Sequence, residues 1–305
     1  MAATLEGGGR PRPPALPLWT ATPPIRSRRA WLTVPGALNA AGFALLVLGA
    51  AVMLLPIFWM VSTSVKSLAD VFTLPIEWWP AQPNWQNYAD AWDQNPFGRY
   101  FINSTIVATT TAAINVLLSS LAGYALAKYS FFGKQAIFLC ILATLMLPIE
   151  VLMVPTFLLV KNLNWLDTYQ SLIIPGAANA FGVFLMRQTM LHVPDPLMDA
   201  ARIDGAGEGR IFFQIVMPLV WPAVLTLALL EFRESWDSFV WPLIVISQNS
   251  MRTVSIGLSL FQQENMTNYN QLMAMSSVAM LPMLVLFFFF QRSFIQGITS
   301  SGIKE

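Results

Sequence analysis

Residues 30 to 65 contain no charged side chain, and the apolar run AAGFALLVLGAAVMLLPIFWM fills most of that stretch. A helix needs about 20 mostly apolar residues to cross a hydrocarbon core about 30 Å thick, where no water can satisfy the backbone. The run therefore reads as a membrane span at roughly 39 to 63. It is too long for the apolar region of a cleavable signal, so it is expected to stay in the membrane. The rest of the chain agrees. Charged residues make up 11% of it, against roughly 25% in ordinary soluble domains.

Five further segments read as spans, near 101–127, 136–160, 168–190, 211–231 and 270–292. The second, FINSTIVATTTAAINVLLSSLAGYALA, is rich in Ser, Thr, Ala and Gly, which lets helix backbones approach closely in lipid. In the third, Pro148 and Pro155 predict a kink. The fourth is weaker, interrupted by Pro175, Gly176 and Gly182, and the fifth carries Pro218 and Pro222. The stretch SFVWPLIVIS at 238–247 is too short to cross and reads as re-entrant or interfacial. The expected fold is an all-α integral membrane protein with six transmembrane helices.

Lys and Arg gather on the cytoplasmic side of membrane proteins. With six spans, twelve of the seventeen fall on the side that holds both termini and the 191–210 segment. That side is expected to be cytoplasmic. Residues 66–99, with EWWPAQPNWQNYADAW, then face outward as an aromatic interface belt. The Pro-, Gly- and Arg-rich residues 1–35 read as a disordered cytoplasmic tail, 36–293 as the membrane domain, and 294–305 as a cytoplasmic tail.

No soluble catalytic constellation or metal site is expected. His192 is the sole histidine, and Cys140, the sole cysteine, sits in an apolar run as a small buried hydrophobe. The glycines of GAGEGR at 205–210 lack the GK[ST] of a phosphate loop. Net charge is +1, which suggests no nucleic-acid partner. The tripeptides Asn103-Ser104-Thr105 and Asn265-Met266-Thr267 match a glycosylation pattern too common to carry weight.

Glu150 is the clearest intramembrane charge. It serves a solute path or bonds to backbone loosened by its flanking prolines. The cluster EFRESWDS, with Glu231, Arg233, Glu234 and Asp237, is read at the outer mouth, either as mutually paired charges or as lining of that path. Asn179, Trp236 and Asp237 join Glu150 as candidate solute-pathway residues.

The segment LHVPDPLMDAARIDGAGEGRIFFQIVMPLVWP, 191–222, is charged and alanine-rich between greasy runs. Asp195 before Pro196 marks a helix start, LMDAARID about two turns, and Gly205 a left-handed cap. A new helix follows GAGEG. Ala200 and Ala201 together remove bulk, as a closely docking patch would.

DAARIDGAGEGRIFFQIVMPL resembles the EAA motif of permease subunits in binding-protein-dependent ABC importers, E-A-A-x-x-x-G, nine residues, then I-x-L-P. Asp199, Ala200, Ala201 and Gly205 match its first half, and Ile215 and Pro218 its second. Asp204 and Ala206 give the D-G-A form of sugar-type permeases. Asp199 stands for the usual Glu and Met217 for the usual Leu. MLPIEVLMVPTFLL, GVFLMRQ, SWDSFVWPL and the C-terminal QRSFIQGITSSGIKE are similar to the carbohydrate-uptake branch of the maltose and glycerol-3-phosphate type.

The resemblance implies a type I ABC importer permease fold with 191–210 as a cytoplasmic coupling-helix loop. It implies a second homologous permease, two copies of a cytoplasmic ATPase and an extracytoplasmic solute-binding protein. ATP and Mg would sit on the ATPases, with no cofactor in this chain, which would be a non-catalytic transport subunit. The ATPase-coupling residues would be Asp199, Ala200, Ala201, Asp204, Gly205, Ala206, Ile215 and Pro218. The solute would be a sugar or sugar-like molecule, with a glycerol phosphate ester as the alternative. A six-span secondary transporter is the rival class, but it usually shows coupling-ion carboxylates and an internal repeat.

Overall fold

A computed structural model describes residues 36–262 and 267–302, with side chains over 40–262 and 267–291. The tail 1–35, residues 263–266, which include Asn265 and Met266 of the second tripeptide, and residues 303–305 lie outside it. Apart from one isolated bridge between Gln262 and Thr267, the described residues are helical or irregular. The described residues divide into two units, one ending at Leu55 and the other beginning at Pro56.

In chain order the helices are α1 (Gly36–Ser64), α2 (Gln86–Gln94), α3 (Phe97–Lys128), α4 (Lys134–Thr144), α5 (Ile149–Asn162), α6 (Tyr169–Ile173) and α7 (Ala180–Leu191). There follow α8 (Asp195–Ile203), α9 (Glu208–Ile211), α10 (Met217–Leu219), α11 (Trp221–Asp237), α12 (Val240–Val245), α13 (Val254–Ser259) and α14 (Tyr269–Gly302). Among them α1, α3 and α14 are each long and apolar enough to cross a membrane.

Two further predicted spans are bent pairs. The third breaks between α4 and α5 by 97°, with Pro148 immediately before α5 and Pro155 accommodated inside it. The fifth, expected as one helix, is Glu208–Leu219 and Trp221–Asp237 meeting at 82°. A π-helical turn at Phe212–Val216 precedes that bend, and Pro218 and Pro222 flank it, each removing a backbone donor that a straight helix would need. The fourth is two short helices, α6 and α7, parted around Pro175 and Gly176, while Gly182 lies within α7. The 238–247 stretch contributes only the six-residue α12. Backbone of α14 continues helical to Gly302, past the predicted span end. Cys140 is exposed on α4 rather than buried, because α4 turns that face away from its neighbours.

α3 is the central element, packed mainly on α7 and α11. Its small residues do what the sequence suggested. A Cβ on Gly123 would stand 2.8 Å from Met186 Cβ and from the Arg187 amide nitrogen, so only glycine permits this approach of α7. The two ends of α3 enter different cores. Phe97 and Tyr100 pack with Trp236, Phe261 and Met275, while Tyr124 packs with Met186, Met198, Ile211, Phe212 and Leu227.

Candidate functional site: the α8 segment and the buried α7–α11 pair

α8 begins one residue earlier than expected. Pro194 precedes it and Asp195 is its first residue, so the Asp195 carboxylate caps no amide and accepts from Lys128 Nζ at 2.8 Å. The far end is as predicted. Gly205 has φ +81°, its N–H donates to Arg202 O at 3.0 Å, and the Ala206 N–H donates to Ala201 O at 2.9 Å. Those two bonds form a Schellman ending, which satisfies the last carbonyls and turns the chain sharply toward α9.

The helix is two-faced. Met198 and Ala201 are buried in the core around Tyr124, and Ala206 packs against the same cluster. Leu197, 46% exposed, and Ile203, 86% exposed, lie with Ala200 on the open face at a spacing of three residues. Residues three apart share a helix face, so these form an apolar stripe with no covering element among the described residues. Ala200 and Ala201 therefore do not form one patch: successive helical residues are about 100° apart, and the fold uses one outward and one inward. Asp199 and Asp204 are exposed, the former paired with Arg202 at 2.8 Å.

Ile215 and Pro218 stand apart from this surface. Ile215 packs into the core of Tyr124, and Pro218 lies in α10 just before the bend. They shape the span that leaves the segment.

Glu208, three residues before the predicted fifth span, was missed from sequence. Its Oε1 accepts from Arg202 Nε at 2.7 Å, and its Oε2 accepts from Tyr129 Oη at 2.5 Å and Tyr124 Oη at 3.4 Å. The Arg202 guanidinium, aided by Tyr129, holds the Glu208 carboxyl down at about 2. Bonding to Glu208 in turn raises Arg202 above its ordinary value. Burial and the Glu208 contact raise Tyr129. Lys128 lowers Asp195. The signal available in the sequence was an acid opening a helix six residues after an arginine.

The candidate pathway residues separate into three places. Asn179 caps α7, its Oδ1 accepting from the Gly182 N–H at 2.7 Å, while its Nδ2 donates to Glu231 Oε1 at 2.6 Å. Glu231 is only 4% exposed, not at an open mouth. Trp236 and Asp237 line a depression of about 230 Å³ with Ser255 and Ser276, and the Trp236 indole donates to Ala279 O at 3.2 Å. Arg233 pairs with Asp237 at 3.3 Å, as the paired reading of that cluster expected. Glu150 is exposed in the first turn of α5 and does not line that depression. Among the described residues, no group of three or more His, Cys, Asp or Glu is placed to hold a metal.

An all-α fold of apolar spans, with a short amphipathic helix on a charged loop between two broken spans, defines a membrane permease. The chain belongs to the binding-protein-dependent transport system inner membrane component family, whose profile matches residues 115–300. The arabinooligosaccharides transport system permease protein AraQ of Halalkalibacterium halodurans is 42% identical over 205 residues, 67% of this chain and 74% of that protein. AraQ of Bacillus subtilis is 36% identical over 254 residues, 82% and 90% of the two chains. The sn-glycerol-3-phosphate transport system permease protein UgpE of Yersinia pestis is 34% identical over 267 residues, 84% and 94%. A chain in a crystal structure of a bacterial ABC transporter involved in the import of the acidic polysaccharide alginate shares the fold. Its TM-score is 0.75 at 22% identity, covering 85% of this chain and 96% of that one. The resemblance carried by residues 199–218 and the type I permease fold are borne out. The chain is a permease subunit of a binding-protein-dependent importer.

Proposed function

We propose that this permease passes a sugar or sugar-like solute, released by an extracytoplasmic binding protein, through a pathway shared with a second, homologous permease. Two copies of an ATPase sit against α8 and the matching segment of the second permease, and supply the ATP and Mg chemistry that this chain does not perform. Both termini and the 191–210 loop lie in the cytoplasm, with six passes between them and tails at 1–35 and 294–305.

The observation that carries this reading is the open stripe Leu197, Ala200, Ile203 on a helix anchored through its other face. A short apolar ridge with a small residue at its centre suits insertion into a cleft. Asp199, Asp204 and Gly205 flank the contact; Ala201 and Ala206 support it from beneath. An Ala200→Cys variant, made in a Cys140→Ser background and carrying a thiol-attached photo-cross-linker, should cross-link to the ATPase in the assembled transporter. No cross-link from Ala200, Leu197 or Ile203 positions in an assembled, ATP-hydrolysing complex overturns the assignment of α8.

The relatives named for arabinooligosaccharides and for sn-glycerol 3-phosphate support two solute chemistries, a neutral oligosaccharide and a glycerol phosphate. The higher identity to the first, 42% over 205 residues and 36% over 254 against 34% over 267, favours the oligosaccharide. A thermal-shift comparison of arabinotriose and sn-glycerol 3-phosphate on the cognate binding protein tests it. Stabilisation by the phosphate alone reverses the choice.

A further inference from the structure

We infer that α8 is carried as a rigid extension of α3, and that Lys128 and Glu208 are the positioning residues that fix it there. The inference rests on the reading that α8 receives the ATPase, and it says where the displacement goes next.

Both ends of α8 are tied to the same short piece of chain. At the first residue, Asp195 is held by Lys128, the last residue of α3, whose side chain is only 4% exposed and also donates to Val193 O at 2.5 Å. In the last turn, Arg202 grips Glu208, and Glu208 is gripped in turn by Tyr124 and Tyr129, in and just after the last turns of α3. Between these points Met198 lies against the Tyr124 hydroxyl, 3.8 Å from its oxygen.

One attachment would leave a hinge; two, at opposite ends of a nine-residue helix, with a packed residue between them, oppose rotation about either. An isolated exposed ion pair contributes little, so the effect requires the network and the nearly buried lysine. The loops beside α8, 192–194 and 204–207, join it to α7 and α9, so its attachment to α3 comes from the side-chain contacts above. α3 is also the helix that reaches both the core of Phe97 and the core of Tyr124. A push on α8 is thus delivered to the central helix of the bundle instead of being lost in a loop.

The test places spin labels at Ile203 on α8 and Ile102 near the opposite end of α3, in a cysteine-free background made with Cys140→Ser. The inter-label distance is compared in the assembled transporter without nucleotide and after vanadate trapping. The wild-type clasp should give one narrow distance, unchanged between the two states. In the Lys128→Met, Glu208→Gln double variant the distribution should broaden and shift on trapping, and Tyr129→Phe alone should broaden it less. A shift on trapping in the wild-type clasp, or a double variant that assembles and keeps the narrow, unchanged distance, overturns the inference. If the double variant fails to assemble, Tyr129→Phe, an exposed change that removes one bond, decides the matter in the same way. A label at Asp204, exposed at the edge of the contact, reads the underlying assignment separately: its mobility should fall when the ATPase is added, and a failure there leaves the width of the Ile203–Ile102 distance, measured without ATPase, still diagnostic of the clasp.

Discussion

Ala200 and Ala201 are adjacent in sequence but meet different surroundings on α8: Ala200 is exposed, while Ala201 is packed in the core of Tyr124 and accepts from the Ala206 N–H. Two identical side chains therefore carry different demands, one for a partner's approach and one for the fold. Ala201→Leu should destabilise the permease by about 1–3 kcal/mol through overpacking. Ala200→Trp should change stability by no more than about 0.5 kcal/mol, yet abolish co-purification with the ATPase. Thermal melts in detergent and pull-down of the complex check both. A stability loss at Ala200 equal to that at Ala201 contradicts the two-faced arrangement.

At Gly205 the demand is purely on the backbone. Its φ is +81°, and a Cβ added there would meet nothing within 4 Å. The strain of a side chain in this conformation is on the order of 1–2 kcal/mol and is smaller for Asn. Uptake should fall in the order Gly, Asn, Ala, Val at this position, with membrane insertion unchanged. Normal uptake by Gly205→Val in a normally assembled transporter refutes a coupling role for the turn.

Much of this was legible in the sequence because it depends on local rules. Hydropathy located the spans α1, α3 and α14, and the spacing from Asp199 to Gly205 marked a helix and its left-handed ending. The small residues of α3 foretold its close approach to α7. What was hidden depends on long-range geometry. The inward turn of Ala201 follows from packing on Tyr124, 77 positions earlier in the chain by the numbering, which no local period encodes. The 82° bend at Val220 was invisible to a hydropathy window that averages across Pro218 and Pro222. Glu208 was passed over because its partners Tyr124 and Tyr129 lie on another helix and its cap.

The charges of the α8 segment fix a pH dependence. The Glu208 carboxyl lies below its ordinary value, at about 2, and Asp195 is lowered as well. A carboxyl whose folded value is depressed stabilises the fold above its unfolded value, near 4, and loses that contribution as pH falls through the folded value. The apparent melting temperature should be level from neutral pH to about 5 on this account and should decline below about 4. Tyr129 is shifted the opposite way, raised, so its contribution is fully present below its unfolded value, about 10, and is lost as pH rises from there through the higher folded value. Glu208→Gln should flatten part of the acid decline. An unchanged acid limb in that variant removes Glu208 from the balance.

Asn179 and Glu231 provide the sharpest separation of structure from transport. The Asn179 amide bonds at both ends, its oxygen accepting at the start of α7 and its nitrogen donating to the buried Glu231 carboxylate. Asn179→Ala loses a helix cap, about 1 kcal/mol, and strands a buried acceptor, about 1–3 kcal/mol more. Glu231→Gln keeps the shape and an oxygen that accepts from Asn179, so alone it should shift stability little. In the Glu231→Gln background, Asn179→Ala should cost less than in the wild type, because the group left unpaired carries no charge. The difference is the coupling between the two side chains, read from a double-mutant cycle of melting temperatures in detergent. Equal losses in both backgrounds dissolve the pair. Uptake by Glu231→Gln then reads the remaining question without interference from folding, since a carboxylate used only to join α7 to α11 is replaced by an amide at no loss of transport.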